Sequence, residues 1–175
     1  MNLLRSAWCV NWLSDWLRNM SLERFTHHEI LPEMRTIMPN YMTAQSQVTF
    51  LYYDDLGPAV DFYENILEFE LVEDQEWAKI YRTSSSSFIG LVDGTRGFRK
   101  PLANSAVLCT LVVDDVPGWY ERLKARGVKI LREPQVYEEI QVHCFFFEDL
   151  GGYAYEVEQF LKPELADVFH KGLRK

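Results

Sequence analysis

An α+β fold built from two consecutive βαβββ units is the prediction for this sequence, and three observations carry it. Short runs rich in β-branched and aromatic residues recur from residue 47 onward. Two longer segments, residues 56–67 and 116–126, carry helical patterning, and each is led by an acidic pair, Asp54–Asp55 and Asp114–Asp115. Strand, helix and three strands then follow in the same order twice, with Asp55 and Asp115 marking a repeat of about 60 residues.

The first strand is expected over Gln47 to Tyr53 (QVTFLYY). Asp55 is a plausible N-cap for the helix 56–67, and Pro58 is tolerated in its first turn because the amide it lacks has no partner there. Strands are expected near 69–73, 77–83 and 88–92, with the serine run 84–87 as a hairpin loop rather than a phosphate cradle. In the second unit a strand is expected over 106–113 (AVLCTLVV) and a helix over 116–126, closed by Gly127 as C-cap. Strands near 128–131, 140–147 and 153–160 complete it, the last entered through the turn Asp149–Leu150–Gly151–Gly152. The expected organisation is an N-terminal extension over 1–46, a module over 47–93, a second over 105–161, and a tail over 162–175.

The totals narrow the function. A chain of 175 residues with 47% hydrophobic and 14% aromatic residues has enough apolar surface for a substantial core. The formal charge of −8 speaks against a nucleic-acid partner, which would ask for a basic face. No run of about 18 apolar residues offers a membrane span, and the first residues do not read as a signal peptide. Cys9, Cys109 and Cys144 are too few and too scattered for a disulfide framework or zinc knuckle, so a reducing cytoplasm is the expected compartment.

The extension differs in composition. It holds all five methionines and three of the five tryptophans, and its four acidic and four basic residues cancel. Leu4, Trp8, Trp12 and Trp16 recur every fourth residue, which would stack them on one helical face. Such a stripe suits docking on the domain or a partner; the strongly basic face of a membrane-surface helix is missing. Pro32 and Pro39 end any second helix, so residues 39–47 read as a linker.

With these elements in order, three segments bring a known group into view. DDLGPAVDFYENILEFEL (Asp54 to Leu71), VVDDVPGWYERLKARGV (Val112 to Val128) and FFEDLGGYAYEVE (Phe146 to Glu158) resemble the matching stretches of vicinal-oxygen-chelate proteins, the glyoxalase and bleomycin-resistance group. Glu68 stands where that group commonly has Gly, and Leu150 where it commonly has Pro. The resemblance covers about residues 47–161 and implies two βαβββ modules whose strands curl into an open cup. Metal-dependent members hold one divalent cation there through four inward side chains that polarise the substrate's paired oxygens. Carried over one residue at a time, those positions fall on Val48, Gly90, Leu108 and Glu156. Only Glu156 bears a ligating side chain, so the expectation is no metal and no other cofactor.

The resemblance also places Val142, Cys144 and Phe146 toward the cup and turns His143 away from it. Neighbours on a strand point to opposite faces, so His143 and Cys144 cannot form a catalytic dyad within it. His143 reads as a packing residue, and no group of histidines has ligand spacing. Phe50 and Tyr52, with Val48, are expected on the cup face of the first strand, and Glu156 and Glu158 on one face of the last. Carboxylates in an aromatic pocket can bind a cation, act as acid or base, or simply satisfy a tyrosine. The expected function is therefore metal-independent binding of a small aromatic or amphipathic molecule by Phe50, Tyr52, Cys144, Phe146, Glu156 and Glu158, in a homodimer. Two alternatives stand beside it. One is an enzyme, either a lyase or dioxygenase with substituted ligands or an acid–base catalyst using Glu156; the other is a partner-binding protein acting through the aromatic extension.

Overall fold

The computed structural model describes residues 44–170. In the first unit β1 (Gln47–Tyr53) leads into α1 (Leu56–Asp61), which continues as a π-helical turn (Phe62–Ile66); β2 (Glu70–Asp74), β3 (Ala78–Arg82) and β4 (Ser87–Asp93) follow. The second unit runs β5 (Leu108–Val112), α2 (Val116–Ala125), β6 (Lys129–Tyr137), β7 (Val142–Glu148) and β8 (Ala154–Phe160), and α3 (Pro163–His170) comes last. Each unit forms its own four-stranded sheet, ordered β1-β4-β3-β2 and β5-β8-β7-β6. In both, the first strand lies parallel to the fourth and the remaining pairs are antiparallel. The α+β class and the doubled βαβββ order are as the sequence predicts.

Local chemistry explains the helix starts. The Asp55 carboxylate accepts the amide of Gly57 at 3.0 Å, and that of Asp115 accepts the amide of Gly118 at 2.9 Å, each satisfying a donor the helix itself cannot use. Gly127 closes α2 at φ 74, a conformation that costs glycine little.

Four features depart from the sequence expectation. The helix expected over 56–67 is α-helical only to Asp61; the amide of Leu67 then reaches back five residues to the carbonyl of Phe62 at 3.0 Å. The wider turn lets two consecutive side chains, Phe62 and Tyr63, both enter the core. Glu68 adopts φ 57, the left-handed conformation that glycine would take without strain, and β2 starts only at Glu70. Glu68 ion-pairs with Arg122 at 3.0 Å and with Arg126, so the exit of the first unit is tied to α2 of the second. The strand expected over 128–131 extends to Tyr137, with register shifts between Ile130 and Arg132 and between Arg132 and Gln135. It is an edge strand, where Pro134 forfeits no ladder bond. Finally, the segment read as a tail contains α3.

One core serves both units. Leu51, Tyr53, Ile89 and Leu91 from the first sheet meet Phe145, Phe147, Tyr155 and Val157 from the second, with Tyr63, Tyr120 and Leu123 from the helices. Alternation along each strand then leaves the opposite face of each sheet open: Leu51 and Tyr53 are buried while Phe50, between them, is 46% exposed. His143 shares the core side of β7 with Phe145 and Phe147. No helix among the described residues is long and apolar enough to cross a membrane. Cys9, His27, His28 and the Leu4–Trp8–Trp12–Trp16 stripe lie outside the described residues.

Candidate functional site

The open faces hold most of the residues that the sequence singled out. On β1, Val48, Phe50 and Tyr52 share the side away from the core, and Phe50 pairs with Gly90 of β4. The Phe50 ring lies against Gly90: a Cβ on residue 90 would fall 2.3 Å from the ring carbon Cδ1, so glycine is what lets the ring settle there. Gly97, between the modules, comes as near to Tyr52 and Val92, so this part of the linker packs over Tyr52.

In the second sheet Leu108 and Thr110 of β5, Phe146 of β7, and Glu156 and Glu158 of β8 lie on the open side, with Cys144 beneath them. Thr110 Oγ1 donates to Glu156 Oε2 at 3.1 Å. The Arg132 guanidinium sits 5.3 Å from the centre of the Phe146 ring. Leu108 is 41% exposed. Thr110 and Leu108 also border a cavity of about 300 Å³ that opens between β5 and the β1–β4 pair, with Thr49, Phe88 and Ile89 across from them.

The electrostatics separate the titratable groups. Burial, helped by the neighbouring charge of Glu156, pushes the Glu158 carboxyl up to about 7, so it holds its proton longer than an exposed glutamate would. Cys144 is only 2% exposed, and burial together with the two glutamates drives its thiol well above the usual range. A thiol so held is a poor nucleophile at neutral pH. Cys109, on the core side of β5, is raised by burial as well.

The metal positions of the resemblance do not fit a cation. Val48, Gly90 and Leu108 offer no side-chain donor, and the Phe50 ring occupies the space in front of Gly90. Among the described residues no three His, Cys, Asp or Glu side chains are grouped as metal ligands.

A second polar cluster went unnoticed in the sequence because its members read as core aromatics and a turn residue. The Asp149 carboxylate, 4% exposed, accepts the hydroxyls of Tyr53 at 2.6 Å and Tyr63 at 3.2 Å through Oδ2. Its Oδ1 accepts the amides of Gly151 and Tyr153, each at 2.9 Å. Tyr63 and Tyr155 share a hydroxyl–hydroxyl bond of 2.5 Å. The only sequence signal was the Asp149–Gly152 turn. The cluster is sealed inside the core and joins the two units, which makes it a structural clamp rather than a ligand site.

Comparison with known proteins follows from this geometry. Residues 44–157 match the model of the Glyoxalase/Bleomycin resistance protein/Dioxygenase superfamily. No curated protein matches the chain. Among solved structures, the chain is similar to a glyoxalase/bleomycin resistance protein/dioxygenase from Nocardioides, with 18% identity, a TM-score of 0.59, and coverage of 75% of this chain and 92% of that one. It is similar to the genomically encoded fosfomycin resistance protein FosX of Listeria monocytogenes, with 18% identity, a TM-score of 0.56, and coverage of 67% and 94%. It is likewise similar to lactoylglutathione lyase of Agrobacterium tumefaciens, with 20% identity, a TM-score of 0.54, and coverage of 69% and 94%. Identities this low speak to the fold alone.

Proposed function

Because the chain belongs to the glyoxalase/bleomycin resistance protein/dioxygenase superfamily, we propose that it is a metal-independent member that binds a small aromatic cation on the open face of its sheets. One observation carries this reading. Glu156 and Glu158 stand side by side on β8, near Phe146 and Leu108, and neither makes an ion pair among the described residues. Two glutamates outside any ion pair, on a face whose Phe146 ring already carries the Arg132 guanidinium, suit a guest whose positive charge meets the glutamates and whose planar ring packs on the remaining apolar surface.

The first test is thermal stability under ligand. Anything that binds the folded state raises its unfolding free energy, by about 2.7 kcal/mol at a hundredfold excess over Kd. Planar aromatic amines are expected to raise the melting temperature with dose, whereas Ni²⁺, Zn²⁺, Mn²⁺ and Fe²⁺ leave it unchanged. About one tightly held metal per chain, lost in Glu156→Gln, would overturn the metal-independent reading.

One observation favours an enzyme as the second reading. A carboxyl that titrates near 7 is tuned for proton transfer, and Glu158 has this property. An acid–base catalyst on this face would therefore work through Glu158, with Glu156 as its charged neighbour.

The same proposal includes a cytoplasmic homodimer. The free thiols Cys109 and Cys144 suit a reducing compartment. Leu71 and Val72 on β2 and Leu131 and Val136 on β6 leave apolar surface exposed on one edge strand of each sheet, which a second copy would cover. Sedimentation velocity at micromolar concentration should show a dimer; a lone monomer boundary would refute it.

A further inference from the structure

The helix α3 was not anticipated, and its packing extends the open face. Phe160, the last residue of β8, lies on the same side of the strand as Glu156 and Glu158. Its ring stacks on Phe169 of α3, with centroids 4.9 Å apart and planes inclined by 16°. Leu165 and Ala166 are half-buried on the helix, while Phe169 remains 51% exposed. The stack thus offers an open aromatic surface at one end of the face that carries the carboxylates. Residues two apart on a strand repeat every ~6.6 Å, so the Phe160 ring starts about one such step beyond Glu158. A cation seated on Glu158 and carrying a planar ring on a linker of two or three atoms spans that step.

We propose that the Phe160–Phe169 pair is the aromatic subsite of this face, and that it makes arylalkylammonium ions the preferred ligand class, with Phe169 as the specificity-determining residue. The proposal rests on the binding reading above and adds to it where the ring goes. The chemistry is complementary: the ammonium meets a carboxylate, and the ring extends an existing stack whose outer surface would otherwise face water.

The test uses the full chain and two probes, 2-(1-naphthyl)ethylammonium and the ring-free butylammonium ion, titrated by calorimetry. Phe169→Leu and Phe169→Ala should weaken the naphthyl probe by about three- to tenfold, the usual scale of one aromatic contact. Phe169→Tyr should restore it, and butylammonium should bind all the variants as it binds the wild type. An unchanged naphthyl affinity in Phe169→Leu overturns the subsite while the binding reading stands. An equal loss of both probes also overturns it, since α3 would then act only as support for the fold. Failure of the wild type to bind either probe removes the binding reading and the subsite with it.

Discussion

Asp149→Ala is expected to lower the unfolding free energy by about 3–5 kcal/mol, the range for breaking a buried polar network. Alanine would leave the amides of Gly151 and Tyr153 without their acceptor and would take from the Tyr53 and Tyr63 hydroxyls the oxygen they donate to, leaving them only each other and Tyr155. Tyr63 is fully buried, so its hydroxyl has no direct contact with bulk water to make up the loss. The loss is large because the two tyrosine bonds cross between the units, from β1 and the π-helical turn to the β7–β8 turn, while the two amide bonds hold that turn in shape. Burial pushes the Asp149 carboxyl up while its hydrogen bonds pull it back, so the charge itself is costly and the geometry is what stabilises. Asp149→Asn keeps an oxygen for the two amides and offers the tyrosines a donor they can turn to accept. It should lose less than half as much. Urea denaturation reads both variants as midpoint shifts at constant slope. A midpoint for Asp149→Ala within about 1 kcal/mol of wild type would show that apolar packing alone joins the units.

Glu158→Gln is expected to weaken binding of an aromatic ammonium by about ten- to a hundredfold at pH 8, the scale of one charge-assisted hydrogen bond. In the wild type the affinity should fall as pH drops through about 7, because Glu158 then takes up a proton and no longer attracts a cation. In the variant this dependence should vanish. Stability should move the other way. The folded-state value of Glu158 lies above the ordinary 4.5, so its contribution is fully present below about 4.5 and is lost as pH rises through about 7. Glu158→Gln removes that loss. It should therefore match the wild type near pH 4 and exceed it at pH 8.5, by about 1–2 kcal/mol once solvent screening of a partly exposed group is allowed for. Binding that stays constant between pH 5 and 9 in the wild type would mean that Glu158 does not hold the ligand.

The sequence was sufficient wherever local pattern and local chemistry agree. Period-two apolar runs determined the strands, Asp55 and Asp115 determined where two helices begin, and their repeat gave the doubled βαβββ order. The same alternation put Glu156 and Glu158 on one strand face and His143 opposite Cys144, and the family resemblance said which of those faces is open, as the structure has it. The absence of donors at Val48, Gly90 and Leu108 was legible as residue type alone. Tertiary structure decided everything that depends on contacts between distant segments. The π-helical turn exists because a shared core has room for both Phe62 and Tyr63. β6 continues through Pro134 because sheet order puts it on an edge, and α3 gains its place from the stack of Phe169 on Phe160. The raised carboxyl of Glu158 comes from burial and from the neighbouring Glu156, and burial is something no local spacing encodes. Asp149 read as a turn residue; only the approach of tyrosines 86 and 96 positions away made it the centre of the core's polar network.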